Sequence, residues 1–282
     1  MTGQTGRSSS RASHGGAHSS GETGDPSSST GHAPILQAAR IRPLLLGHRG
    51  ARPLSRLKAS GRTAKIPPEN MLASFEYALL HGCDGFEFDV RITRDERLVI
   101  CHDPRLRGRQ VATSLFASLS SRQSGTLSCL EDVLAVFHDR AWLDIEIKVA
   151  GGEELIVAAL RQSKPQQYLL SSFLPEVLLR FDHLDPSLPL GYICDRPADV
   201  PAWRELPLQV FLPQYKLVSE KLIREVHSRD MQIFTWTVNR KQDMQRLNAW
   251  GIDGLISDDP VLLSQTFSTV PSSCQKPTAN SQ

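Results

Sequence analysis

Residues 82–104, with the sequence GCDGFEFDVRITRDERLVICHDP, decide how the rest of the chain can be interpreted. Apolar and acidic residues alternate in the segment FEFDV, so a β-strand there would point Glu87 and Asp89 to one face and its apolar side chains to the other. A short polar turn then leads into the apolar run LVIC at 98–101, which predicts a hairpin. Pairing across this hairpin would return His102 to the neighbourhood of the two acids.

Alternating acids on a strand are most often found on a solvated face. In this segment, however, the opposite face of the strand and its predicted hairpin partner are both apolar, which favours burial. Carboxylates held close together in a buried place repel one another unless a cation lies between them. The pattern therefore predicts a divalent cation at Glu87 and Asp89.

Composition limits the classes of function. A net charge of +2, with 22% charged residues, gives the chain no overall affinity for polyanions, so nucleic acid is not expected as a partner. The 5 cysteines are odd in number and lie mostly in apolar surroundings, which predicts reduced core thiols rather than disulfides. Reduced thiols favour a reducing compartment, and we expect a cytoplasmic location.

Both ends of the chain differ in composition from its middle. Residues 1–38 are rich in Ser, Gly, Thr and His and have no aromatic residue, which predicts a disordered tail, and residues 268–282 predict a second one. The Arg- and Ser-rich start suggests an organelle transit peptide as the alternative, but Gly, His and Pro interrupt any amphipathic helix there. We find neither a secretory signal nor a transmembrane segment, and we assign residues 39–267 to one domain.

Strand-like and helix-like segments alternate through this domain. The predicted strands are residues 43–47, 85–90, 142–148, 167–172, 188–193, 209–212, 232–238 and 254–257. The predicted helices are residues 69–81, 129–138, 153–162, 175–181, 219–229 and 240–250. This order predicts a (β/α)₈ TIM barrel, with residues 98–101 as an extra hairpin strand after the second barrel strand. A doubly wound open sheet is the structural alternative.

Polar residues recur where the predicted barrel strands end, which is where a barrel carries its active site. The first strand ends in GHRGA, which contains His48 and Arg49, and the third ends in DIEIK, which contains Glu146 and Lys148. The seventh ends in TWTVN, where Trp236 either packs in the barrel or forms a wall for the substrate.

These residue types suit cleavage of a phosphodiester. Three acids offer only oxygen ligands, which favours Mg²⁺ or Ca²⁺ over Zn²⁺: Glu87, Asp89 and Glu146. Arg49 and Lys148 beside such a cation would bind a phosphate. His48 and His102 are the natural pair for general acid and general base catalysis near neutral pH.

The ordered set of motifs resembles the glycerophosphodiester phosphodiesterase family over residues 44–260. The motifs are GHRGA (47–51), PEN (68–70), SF (74–75), GFEFDV (85–90), HD (102–103), IEIK (145–148), SSF (171–173), WTVN (236–239) and GIDGLISD (251–258). As a set they are far more specific than any one of them.

The resemblance implies a role for each matched residue. It implies that Glu87, Asp89 and Glu146 bind the metal and that His48 and His102 act as acid and base. It implies that Arg49 and Lys148 bind the phosphate, and that Glu69 orients the His48–Arg49 end of the site. It also implies a TIM barrel and metal-dependent hydrolysis of a small-molecule glycerophosphodiester to glycerol 3-phosphate and an alcohol. A related barrel phospholipase acting on intact lipid, or a phosphodiester-binding module without catalysis, are the alternatives.

The chain departs from the family pattern between the His-Arg-Gly turn and the Pro-Glu-Asn motif. Residues 52–65 form an insert without an acid, and its cations are Arg52, Arg56, Lys58, Arg62 and Lys65. Five cations that repel one another would be easier to tolerate facing an anion, so we expect this loop to attract anionic substrates or an anionic membrane surface. A solvated loop without a role is the alternative. Residues 105–126, where many members carry a larger insertion, are short here, which predicts an open pocket.

Overall fold

The computed structural model describes residues 42–52, 66–120 and 127–268. The strands are β1 (Leu44–Gly47), β2 (Gly85–Ile92), β3 (Leu98–Ile100), β4 (Arg105–Leu106), β5 (Arg109–Gln110), β6 (Trp142–Ile147), β7 (Tyr168–Ser172), β8 (Leu190–Cys194), β9 (Val210–Pro213), β10 (Gln232–Thr235) and β11 (Gly254–Ser257). The α-helices are α1 (Leu72–Leu80), α2 (Phe116–Leu119), α3 (Leu130–Phe137), α4 (Glu153–Ser163), α5 (Pro175–Leu184), α6 (Glu220–His227), α7 (Lys241–Ala249) and α8 (Pro260–Phe267). Short 3₁₀ helices span Val111–Thr113, Pro197–Glu205 and Tyr215–Leu217.

Parallel strands close into a complete ring. The first strand, β1, pairs with the last strand, β11, and also with β2. Strand β2 pairs with β6, and each strand from β6 to β10 pairs with the next one, which completes the ring. Strand β3 lies outside this ring and pairs antiparallel with β2. The TIM barrel and the extra hairpin strand after the second barrel strand are therefore confirmed. The open sheet is excluded because β1 and β11 are hydrogen-bonded neighbours.

Alternation along the strands divides the apolar residues into an inner and an outer core. On β1, Leu44 and Leu46 belong to a cluster with residues from the other barrel strands, whereas Leu45 packs with the helices. On β2 the outer positions hold Phe86 and Phe88, and the Phe86 ring stacks on that of Phe75 from α1 at 4.3 Å. Burying an aromatic side chain of this kind contributes about 1.5–3 kcal/mol. This outer packing directs the acids of β2 toward the inside of the barrel.

The predicted elements agree with the observed ones to within a few residues, with three differences. Helix α1 begins at Leu72 rather than at residue 69, because Asn70 has a positive φ of 58° and its amide donates to the Arg49 carbonyl oxygen at 3.0 Å. Helix α8 was not predicted. The region after His102 contains the β4–β5 hairpin and α2, which were not predicted either.

Four described cysteines are free and buried, as expected for reduced core thiols: Cys83, Cys101, Cys129 and Cys194. Among residues 42–52, 66–120 and 127–268, no helix is both long enough and apolar enough to cross a bilayer. The tail predicted at 1–38 lies outside the described residues, and so does the tail predicted at 268–282 except for Ser268. All residues of the basic insert except Arg52 also lie outside them.

Candidate active site

The turn after β1 positions the first two candidate residues. A Cβ added to Gly47 would lie 1.9 Å from the carbonyl oxygen of Gly50, so this compact turn requires glycine at position 47. His48 and Arg49 follow, and the Arg49 backbone amide donates to Glu87 Oε2 at 2.8 Å. The end of β1 is thereby attached directly to an acid on β2.

The acids of β2 and β6 form one buried cluster. Asp89 and Glu146 are register partners on neighbouring parallel strands, and single carboxylate oxygens of Glu87, Asp89 and Glu146 all lie within 4.8 Å of one another. Glu87 Oε1 and Asp89 Oδ1 are buried and accept no hydrogen bond from the described residues. Three converging carboxylates, two of which have a buried oxygen without a hydrogen bond, fit a hard divalent cation. This is the predicted set of metal ligands.

Crowding changes the proton affinity of these acids. Burial and the neighbouring charge of Asp89 raise the pKa of Glu146 to about 7 and raise that of Glu87 well above its ordinary value. Burial also raises the pKa of Asp144 to about 7, although Ser171 Oγ donates to its carboxylate at 2.6 Å. Burial would raise the pKa of Asp89 too, but the positive charges beside it lower it overall. The cluster therefore holds more negative charge than this buried site tolerates by itself.

Two cations partly neutralise the cluster. Arg49 lies between Glu69 and Asp89, with its Nη1 at 2.7 Å from Glu69 Oε1 and its Nε at 3.2 Å from Asp89 Oδ2. Lys148 Nζ is 2.5 Å from Glu146 Oε1 and 3.4 Å from Asp89 Oδ1. Both predicted phosphate-binding residues are thus at the cluster, and Glu69 contacts Arg49, the residue that it is predicted to orient.

His48 is held by a carboxylate that was not singled out as a site residue. Its Nδ1 donates to Asp258 Oδ1 at 2.6 Å, while its Nε2 lies 3.8 Å from Glu87 Oε2. Burial alone would raise the pKa of Asp258, but the hydrogen bond and charge of His48 lower it below the ordinary value. Asn239 Nδ2 donates to the other oxygen of Asp258 at 2.6 Å. The sequence signal that could have identified these two residues was the pair of motifs WTVN and GIDGLISD, which end in Asn239 and Asp258.

A second supporting residue that was not singled out is Asn70. Its Nδ2 donates to Asp89 Oδ2 at 2.7 Å, and the Asp89 amide donates to Asn70 Oδ1 at 3.3 Å. Next to it, Glu69 also pairs with Arg52, whose Nη1 lies 3.6 Å from Asp258 Oδ1. The Pro-Glu-Asn motif thus supports a metal-ligand candidate as well as Arg49.

The hairpin returns His102 to the site, as predicted. Its Nδ1 lies 2.8 Å from Asp103 Oδ1, and its carbonyl oxygen accepts a hydrogen bond from Arg91 Nε at 2.8 Å. The backbone amide of Cys101 donates to the Asp89 carbonyl oxygen at 2.9 Å. Burial lowers the pKa of His102, although the hydrogen bond to Asp103 opposes this.

The candidate residues line a cavity of about 220 Å³ at the carboxyl ends of the barrel strands. Its polar lining includes His48, Arg49, Glu87, His102, Glu146 and Lys148. Trp236 and Phe173 form an apolar wall, with their rings edge to face at 5.5 Å, and Trp236 Nε1 donates to the Leu212 carbonyl oxygen at 2.9 Å. Asp89 is buried outside the lining, and Glu69 lines a neighbouring cavity.

A family profile and individual related proteins both match this chain, and they indicate the same family. The sequence profile of the glycerophosphoryl diester phosphodiesterase family matches residues 48–154 and 139–262. A glycerophosphodiester phosphodiesterase of Caldanaerobacter subterraneus is 26% identical over 247 residues, which cover 79% of this chain and 97% of that protein. One from Bacillus subtilis is 26% identical, covering 84% of this chain and 90% of that protein.

Solved structures show the same fold. A Thermotoga maritima glycerophosphodiester phosphodiesterase superposes with a TM-score of 0.66 at 23% identity, covering 80% of this chain and 99% of that chain. An Oleispira antarctica phosphodiesterase in complex with the product sn-glycerol-3-phosphate superposes with a TM-score of 0.67 at 23% identity, covering 80% and 96%.

Proposed function

The chain belongs to the glycerophosphoryl diester phosphodiesterase family of hydrolases, and we propose that it hydrolyses glycerophosphodiesters to glycerol 3-phosphate and an alcohol. The observation that carries this proposal is the convergence of three carboxylates, two cations and two histidines at the carboxyl end of the barrel. A structural relative that holds sn-glycerol-3-phosphate as its product supports the choice of product.

We assign the metal ligands to Glu87, Asp89 and Glu146, with Mg²⁺ or Ca²⁺ as the cation. Arg49 and Lys148 offset only part of the negative charge of these three carboxylates. A divalent cation would offset more of this charge, so that the site could accept the negative charge of a phosphodiester. The bound cation would stabilise the charge that develops on the phosphoryl oxygens.

The two side chains that we assign to phosphate binding contact different oxygens of the acids: Arg49 contacts Asp89 Oδ2, and Lys148 contacts Asp89 Oδ1 and Glu146 Oε1. Arg49 presents a planar guanidinium that can form paired hydrogen bonds to phosphoryl oxygens, while Lys148 adds a compact charge. Glu69 restricts the Arg49 side chain, so part of the entropy cost of orienting it is met before substrate binds. Trp236 offers an apolar surface to the carbon chain of the substrate.

The histidines move the protons. One phosphorus–oxygen bond to the alcohol breaks and one to the oxygen of water forms, either directly or after attack by a hydroxyl of the substrate. We assign proton donation to the leaving alkoxide oxygen to His102 and proton removal from the attacking oxygen to His48. Asp258 keeps the Nδ1 proton of His48 in place, so Nε2 is the atom available to accept a proton.

The test is an assay of the purified protein with glycerophosphocholine, with and without EDTA, in which glycerol 3-phosphate and choline are measured separately. We expect both products in equal amounts, loss of both with EDTA, and recovery with Mg²⁺ or Ca²⁺. Release of phosphocholine instead would contradict the assigned products, and unchanged activity in EDTA would contradict the metal.

The same assay distinguishes the alternatives. Cleavage of phosphatidylcholine vesicles faster than of glycerophosphocholine would indicate a phospholipase that acts on intact lipid. Binding of glycerophosphocholine without turnover at saturating metal would indicate a binding module without catalysis.

A further inference from the structure

A second cavity, of about 230 Å³, shares His102 with the cavity at the barrel mouth. The rest of its lining differs, because it is formed by the segment that contains Asn70 and Met71, by the end of β3, and by the β4–β5 hairpin. A substrate group that reacts at His102 can therefore extend into either cavity.

The β4–β5 hairpin brings a run of arginines to this second cavity. Its sequence is RLRGRQ, and its turn consists of Arg107 and Gly108, whose φ values of 53° and 78° match a two-residue hairpin turn with left-handed backbone. Arg105 and Arg107 line the cavity, whereas Arg109, on the same hairpin, does not. Leu106 packs against a buried apolar cluster beneath the hairpin and anchors it.

One cation that lines the second cavity has no acid as a partner among the residues that the structure describes. Its two acids are already engaged, since Glu69 pairs with Arg49 and Arg52, and Asp103 pairs with His102. Within the part of the chain that the structure describes, the Arg105 side chain is exposed and makes no hydrogen bond or ion pair. The lining of this cavity therefore presents an uncompensated cation beside apolar surface from Met71, Leu106 and Leu127.

We propose that this second cavity binds the alcohol part of the substrate, and that Arg105 selects alcohols that carry a further anionic group such as a phosphate monoester. The inference rests on the proposed function. An acid that protonates the leaving oxygen must lie within hydrogen-bond reach of it, so the alcohol begins at His102. Because Arg49 and Lys148 line the mouth cavity with His48, the glycerol phosphate part lies there and the alcohol extends into the second cavity.

The experiment compares two substrates whose alcohols differ by one phosphate, glycerophosphoinositol and glycerophosphoinositol 4-phosphate. At low ionic strength we expect Arg105→Gln to lower kcat/KM for the phosphorylated substrate about three- to fivefold, as suits an exposed ion pair, and to leave the other substrate unchanged. Arg109→Gln is the matched control, because it removes the same charge from the same hairpin outside the cavity. It should leave both values unchanged.

The outcomes separate the two proposals. Equal losses in Arg105→Gln and Arg109→Gln would mean that the hairpin acts only through its general positive field, and would overturn the subsite. Hydrolysis of both substrates with no change in their ratio in Arg105→Gln would overturn the subsite and leave the proposed function standing. Failure of the wild-type protein to hydrolyse either substrate or glycerophosphocholine would overturn the proposed function itself. A thermal melt of each variant checks that it is folded.

Discussion

Glu87 and Asp89 lie two residues apart on β2, yet the same cluster affects their charged forms in opposite ways. Burial and neighbouring acids raise the pKa of Glu87, so its ionised form is unfavourable in the folded protein. Asp89 is paired with Arg49 and Lys148 and accepts a hydrogen bond from Asn70, so its ionised form is favourable. Substitutions that remove these two charges should therefore change the stability of the metal-free protein in opposite directions.

We predict that Glu87→Gln stabilises the metal-free protein at pH 8, whereas Asp89→Asn destabilises it, each by about 1 kcal/mol or more. Both substitutions, and Glu146→Gln, should lower metal-dependent hydrolysis at least about 10²-fold, because each removes a ligand charge at nearly constant volume. Thermal unfolding in EDTA and hydrolysis at saturating Mg²⁺ or Ca²⁺ measure the two effects. Full activity in any of the three variants would reject the assignment of that ligand.

The roles of the histidines can be separated by the leaving group. If His102 protonates the alkoxide, His102→Ala should cost about 10²–10⁴-fold on glycerophosphocholine and much less on a nitrophenyl ester, whose leaving group scarcely needs a proton. His48→Ala should lower both rates similarly. Because burial lowers the pKa of His102, kcat/KM for glycerophosphocholine should fall as pH rises through a value below that of an ordinary imidazole. The reverse pattern of losses would exchange the two roles.

We propose that Asp258, which accepts the hydrogen bond from His48 Nδ1, acts through His48 as a positioning residue. We predict that Asp258→Asn lowers kcat about 10²-fold, because an amide cannot hold the Nδ1 proton as the carboxylate does. In a His48→Ala background the same substitution should have almost no further effect, since the two residues act as one unit. Independent, additive losses in the double variant would show that Asp258 acts elsewhere.

At the level of elements, the contact between β2 and β6 determines the geometry of the acid cluster, and it depends on Gly85. A Cβ at this position would lie 1.8 Å from the backbone carbonyl oxygen of Trp142, which cannot move without shifting β6. We predict that Gly85→Ala destabilises the protein by about 3 kcal/mol or more. Gly152→Ala is the control, because its Cβ would have its nearest neighbour at 3.4 Å. Thermal unfolding of both variants tests this, and equal melting temperatures would contradict it.

For the whole molecule, the buried acids make the stability of the metal-free protein depend on pH. Glu146 and Asp144 have folded-state pKa values of about 7, above those of the unfolded chain, so the unfolded state loses its protons first as pH rises. Stability should therefore fall between about pH 4.5 and pH 7. We predict a melting temperature several degrees lower at pH 8 than at pH 5 in EDTA.

Metal binding should reverse this trend, because the cation binds the deprotonated carboxylates. The rise in melting temperature on adding Mg²⁺ or Ca²⁺ should thus be larger at pH 8 than at pH 5. Glu146→Gln should reduce the pH dependence in EDTA, with the contribution of Asp144 remaining, and should remove most of the metal effect. A metal-induced shift that is equal at both pH values would contradict the proposed ligands.

The sequence by itself predicted the alternating strands and helices and the faces of the strands, and the resemblance to a known family favoured a closed barrel over an open sheet. Period-two alternation is a local property of an extended backbone, so the spacing alone placed Glu87 and Asp89 on one face of their strand and Glu146 and Lys148 on one face of another. Helix limits were less predictable. The start of α1 depends on the contact between Asn70 and Arg49, which belongs to the tertiary structure.

Only the tertiary structure decided the partners of these residues. Asp258 reaches His48 across 210 positions of sequence because β11 closes the ring against β1, and no local pattern encodes that closure. Asn70 meets Asp89 through a loop, and Arg105 faces the second cavity through the two-residue turn of its hairpin. The burial of the Glu146 and Asp144 carboxyl groups and their distances to neighbouring charges determine their raised pKa values. Both the burial and the distances exist only once the strands are assembled.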